Sequence, residues 1–174
     1  MTVSWRELPH PASWRDLPEP ARGIAGAVHE AVKAAMARDH EAYGEAVARL
    51  AAADPAQSGL VMGAMVRMLL ENLHHGGIAS DDVRAVLDRV AGQTARWLPA
   101  ETLRVDVTAL VLMLSGALGV HPGAEEAPPL SPRDTAAYGP LLVADLLAVT
   151  SYPLDLCLSA AMGEIATVQT ADIP

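Results

Sequence analysis

The 174-residue sequence predicts an all-α fold: an irregular bundle of about seven helices behind an extended, Pro- and Trp-rich N-terminal arm. Three observations predict it. Apolar residues in every long segment recur at the 3.6-residue spacing of a helix rather than at the alternation of a strand. Prolines fall at the starts or breaks of those segments. The composition, 51% hydrophobic and 19% charged with no Phe, suits a packed core of aliphatic side chains. The arm is assigned to residues 1–20, and residues 21–174 to a single helical domain with an internal loop near 121–130.

The arm carries a nine-residue duplication, SWRELPHPA over 4–12 and SWRDLPEPA over 13–21. Each unit places an acid three residues after Ser, Ser4 with Glu7 and Ser13 with Asp16, the pattern of a helix start. Each is stopped by Leu-Pro, because Pro9 and Pro18 disfavour helical geometry at Leu8 and Leu17. A unit therefore forms at most about one turn. The alternative is an extended polyproline-like chain with Trp5 and Trp14 on one side, roughly 28 Å apart. Either form presents Trp5, Leu8, Trp14 and Leu17 as partner-binding residues for the domain's own groove, a second copy or another protein. A solvated tail is the remaining reading.

The helices follow in order. Ile24, Val28, Ala31, Val32 and Ala35 form the apolar stripe of a first helix ending near Asp39, and a second runs from about His40 to Ala53. Asp54-Pro55-Ala56-Gln57 reads as a capping box with Pro at the first helical position, opening a third helix to about His75. That helix is apolar on more than one face. Ser80 caps a fourth, with Val83, Val86, Leu87, Val90, Thr94 and Trp97 inward. Pro99 opens a fifth, apolar all round from Val107 to Leu118 and read as the bundle's centre. Ser131-Pro132 opens a sixth, which Pro140 should kink or restart. Tyr152-Pro153 breaks the chain before a last helix over Leu154–Ala166, ahead of a fraying tail. Prolines 55, 99 and 140 recur at 44 and 41 residues, which makes a short αα-repeat solenoid the alternative architecture.

Charge narrows the function classes. The net charge is −9, and residues 105–174 hold eight acids against one base, Arg133. This acidity disfavours nucleic acid and anionic membrane surfaces as partners. The single Cys157 and the lack of an export signal point to the cytoplasm. No nucleophile elbow, phosphate loop or ligand-spaced Cys/His pair occurs, so no catalytic, metal or cofactor residue is assigned and the reading leans away from an enzyme. His74 and His75 are adjacent, which on a helix splays them too far apart to share an ion. Met62, Met65 and Met113, with Asp145, form a candidate apolar pocket between helices three, five and six, with core packing as the simpler reading. Gly59 and Gly63 are expected to let another helix approach closely. Asp106, Asp145 and Asp155 stand in apolar helices, either to meet in a cavity or to reach a surface or cap. The leading expectation is a non-enzymatic interaction module, a regulator, adaptor or homo-oligomer subunit that works through its arm. The alternative is a small-molecule-binding or catalytic helical domain.

Overall fold

The computed structural model describes residues 12–121, 123, 125, 126 and 128–172. Among them lie a short 3-10 turn, Trp14–Asp16, and seven α-helices: α1 (Ala21–Ala37), α2 (His40–Ala52), α3 (Pro55–Leu73), α4 (Ser80–Trp97), α5 (Val107–Ala117), α6 (Pro132–Thr150) and α7 (Leu154–Ala171). No strand occurs among the described residues. No single described helix is long and apolar enough to cross a membrane.

Local chemistry explains most boundaries. Asp39 accepts from the Ala42 N–H, Asp54 from Ala56 and Gln57, Asp106 from Thr108 and Ser131 from Asp134, each satisfying a free donor in a helix's first turn. Two expected caps differ in detail. The Gln57 side chain does not return to close a capping box but accepts from Gln169 of α7 at 3.2 Å. At α4 the cap residue is Ala79, not Ser80, and the Asp82 carboxylate accepts from the Ala79 N–H at 2.8 Å.

The centre of the bundle is α6, not α5. Every residue of α6 from Ala136 to Leu147 is buried, and α1 to α5 all pack against it. In α5 only Ala109, Leu110 and Leu114 are buried, while Val107 and Val111 face solvent. A helix that is apolar all round can lie at the edge when its neighbours cover one face only. This arrangement also rules out the solenoid, in which each repeat touches only the next.

Pro140 neither stops nor restarts α6. An interior proline costs about 3 kcal/mol in an isolated helix. Burying Leu141, Leu142, Leu146 and Leu147, each 4% exposed or less, outweighs that at about 1.5–3 kcal/mol per side chain. The Tyr43 hydroxyl donates to the Ala137 carbonyl, adding a hydrogen bond in the turn that Pro140 disturbs.

Pro99 opens a turn rather than a helix: Thr102 and Leu103 N–H groups both return to its carbonyl, and α5 begins only after Asp106. The Tyr138 hydroxyl pins this stretch, donating to the Arg104 carbonyl and accepting from the Asp106 N–H, both at 2.9 Å. At the other end, α7 runs beyond Ala166 to Ala171, and the Thr170 hydroxyl donates to the Ala166 carbonyl. The 44-residue spacing of Pro55 and Pro99 therefore marks no structural repeat.

One buried ion pair fastens α4 to the central helix. The Arg89 guanidinium meets the Asp145 carboxylate through three hydrogen bonds of 2.7–3.0 Å. The Asp145 side chain is 6% exposed and that of Arg89 31%. Cys157 is fully buried, and burial pushes its thiol up to about 12, so it packs as a small hydrophobe.

Candidate functional site

The second arm unit folds as its composition dictates and then docks on its own domain. Ser13 is extended, and the next three residues form one 3-10 turn closed by the Asp16 N–H on the Ser13 carbonyl at 3.0 Å. The Ser13 hydroxyl accepts from the Arg15 N–H at 3.3 Å, so the Ser–acid pattern makes a turn without the reciprocal side-chain bond. Leu17, before Pro18, is extended at ψ 148°.

Trp14 is 8% exposed in a cleft between α1 and α7. Its backbone N–H donates to the Ser159 hydroxyl and its indole N–H to Asp155 Oδ1, each at 3.0 Å. The ring lies 5.2 Å from the buried His29 ring. On α1, Gly26 lies beside the indole, where a Cβ would make an ordinary contact at 3.8 Å from Trp14 Cζ3. Arg15 spans the outer edge, with its guanidinium carbon 4.5 Å from the Trp14 ring centroid and Nη1 2.7 Å from Asp155 Oδ1. Both ends of the amphipathic indole are thus satisfied, the ring against protein and the N–H on a carboxylate.

Asp155 gathers the charges of this cleft. Burial raises its carboxyl, but the hydrogen bonds from Trp14 and Arg15, and the nearby Arg15 and His29, outweigh burial and leave it below the ordinary carboxylate value. A carboxyl held low when docked and released when undocked stabilises docking above its ordinary pKa, and that contribution is lost as pH falls through the lowered value. Docking is therefore expected to weaken below about pH 4. An acid titration of Trp emission should show a red-shifting step there, and Asp155→Asn should flatten it. A step unchanged in the variant would assign it to other groups.

Of the four residues expected to bind a partner, Trp14 is buried in the cleft and Leu17 packs at the edge of the core. Trp5 and Leu8 lie outside the described residues. The four residues of the candidate pocket do not converge on one cavity. Met62 and Met65 are fully buried in the core. Met62 and Met113 both end over Gly139 of α6, where a Cβ would lie 2.5 Å from Met62 Sδ and 3.2 Å from Met113 Cε. At Gly59 and Gly63, where another helix is expected to approach closely, a Cβ would meet only ordinary contacts, the Thr135 side chain at 3.7 Å and the Ala117 backbone of α5 at 4.0 Å; the crowding at Gly139 comes from methionine side chains. Asp145 is held by Arg89 beside a separate cleft of about 120 Å³.

Met113 instead lines an open groove of about 580 Å³, with Gly59, Leu60 and Gly63 of α3, Gly116 of α5 and Ile165 and Val168 of α7. Its polar groups include Arg67, which pairs with Glu71 and Glu164. The three acids of the apolar helices stay apart: Asp106 caps α5, Asp145 holds Arg89 and Asp155 holds the arm. His74 approaches Asp82 at 3.6 Å. Among the described residues, no group of three or more His, Cys, Asp or Glu is arranged to hold a metal ion.

His29, Ser159 and the role of Asp155 were not legible in the sequence. A Trp indole calls for an acceptor, but this one stands 141 residues away. Compared with protein-family models, with curated proteins and with solved structures, the chain matches none.

Proposed function

We propose that this chain is a non-enzymatic helical interaction module whose α1–α7 cleft recognises a short Ser-Trp-Arg-acid-Leu-Pro segment. The observation that carries this reading is the seating of Trp14. A backbone N–H, an indole N–H, an aromatic face and a guanidinium each meet a group on α1 or α7, and the turn they ride on is closed within the unit itself. Such a combination recognises a motif rather than mere hydrophobicity. A buried Trp beside Arg is the composition of an interaction anchor. The acidic rim, with Asp155 and Glu30 near His29, favours a basic residue next to that anchor.

The experiment empties the cleft in the full chain with Trp5→Ala/Trp14→Ala and titrates a synthetic peptide of residues 12–20. Saturable binding is expected, weakened at least about tenfold when the peptide's own Trp is replaced by Ala. A peptide that does not saturate the emptied cleft, with the double variant still folded by far-ultraviolet circular dichroism, overturns the reading.

A further inference from the structure

The cleft has one seat, and the sequence offers two units that fit it. The residues of the second unit that meet the domain, Trp14, Arg15 and Leu17, recur in the first as Trp5, Arg6 and Leu8, and those that start and stop its turn, Ser13 and Pro18, recur as Ser4 and Pro9. The units differ at two positions only, Glu7 for Asp16 and His10 for Glu19. Asp16 is exposed. Glu19 turns away to the first turn of α1, accepting from the Gly23 N–H at 3.0 Å and pairing with Arg22. Neither varied side chain serves the cleft. Charge complementarity is kept as well, since Arg6 brings to Asp155 the same cation that Arg15 does.

We infer that the first unit, Ser4–Pro9, is a second ligand of the α1–α7 cleft and seats there in the same chain when the Trp14 unit leaves. This rests on the reading of the cleft as a recognition site and names its occupant. The tether allows it. Three residues, 18–20, join Leu17 to Ala21, and twelve, 9–20, would join Leu8 to Ala21. Twelve residues reach about 40 Å, ample for a loop back to the same seat. Two doublings of loop length disfavour the longer tether by about tenfold. The second unit therefore holds the seat and the first replaces it on release. A second copy of the chain offers no additional seat, and its units meet the same competition without the tether.

The test uses the full chain and four proteins: wild type, Trp5→Ala, Trp14→Ala and the double variant. Trp97 is common to all, so the difference spectrum between Trp14→Ala and the double variant is the emission of Trp5. That emission is expected at the shorter wavelength of a buried indole in Trp14→Ala, and at the water-exposed wavelength when wild type is compared with Trp5→Ala. Trp5→Ala alone should leave the folding equilibrium unchanged, Trp14→Ala should lower it about tenfold, and the double variant should lower it at least tenfold further. Trp14→Phe serves if Trp14→Ala does not fold, because it lacks the indole N–H for Asp155 and should yield the seat to Trp5. Water-exposed emission from Trp5 in both Trp14 variants overturns the inference. So does a shift of these variants from monomer to dimer in sedimentation, which would place the first unit in another copy's cleft. If the peptide of residues 12–20 saturates the emptied cleft while Trp5 stays exposed, this inference fails and the recognition reading stands. If Trp5 seats but no peptide binds, the recognition reading fails and the cleft is an intramolecular clamp.

Discussion

Replacing Arg89 by Ala should lower stability by about 3 kcal/mol, because it strands the Asp145 carboxylate inside the bundle. Asp145 sits on the central helix with 6% of its side chain exposed, and its hydrogen bonds in the structure come from Arg89. The reverse substitution should be milder. Arg89 is 31% exposed and can turn to solvent when Asp145 becomes Leu, so a loss of about 1 kcal/mol is expected. Replacing both by Leu should recover most of the Arg89→Ala loss, since a buried pair gains little over apolar packing of similar volume. Urea unfolding of the three variants checks the ordering. Arg38 lines the same cleft as Asp145, and adding Arg38→Gln to Arg89→Ala shows whether it takes over the carboxylate. An Arg89→Ala protein as stable as wild type, with Arg38 also removed, would refute this account of how α4 is held.

Gly139→Leu should destabilise by a similar amount, about 3 kcal/mol, through crowding rather than charge. Even a Cβ at Gly139 falls 2.5 Å from Met62 Sδ and 2.9 Å from Met62 Cε, and Met62 is fully buried, so its thioether has little room to withdraw. Gly139→Ala sets two opposed terms against each other. Removing a mid-helix glycine favours the helix by about 1 kcal/mol, and the clash costs about 1–3 kcal/mol. A small net loss is expected. In a Met62→Ala background only the milder 3.2 Å approach to the end of Met113 remains, and Gly139→Ala should stabilise. That reversal of sign in a double-mutant cycle is the sharper measurement, and a Gly139→Ala effect independent of Met62 would sink it.

These two sites show where the sequence was legible and where it was not. Periodicity, Pro placement and caps located all seven helices, because each signal acts within one or two turns of its own residue. Asp54 before Pro55 and Ser131 before Pro132 start helices where local hydrogen bonding requires it. The limit of one helical turn in the second unit of the arm was legible for the same reason, with Pro18 stopping what Ser13 starts. Pro99 misled because proline suits a turn as well as a helix start, and only the anchoring of Arg104 and Asp106 on Tyr138 decides for the turn.

Burial was less legible. The apolar α5 does not hold the centre that its composition suggested, and the Asp-bearing α6 does, since hydrophobicity states what a helix can bury but not how many neighbours surround it. A single Asp does not bar α6 from the centre once Arg89 reaches it from α4, 56 residues away in sequence. Likewise, a methionine stripe reads equally as pocket or core until a facing glycine such as Gly139 admits the thioethers.

By itself, then, the sequence determined an all-α chain, its helix limits to within a few residues in most cases, and the single turn to which Pro18 limits Trp14–Asp16, because capping, proline geometry and helical periodicity are local. Only the tertiary structure decided that α6 is the axis, that Asp145 is neutralised by Arg89, and that Trp14 is seated on its own domain by His29, Asp155 and Ser159. The hydrogen bonds among those outcomes join residues 56 to 145 positions apart, and no local rule ranks the many acceptors an indole or a guanidinium could meet until the helices are packed.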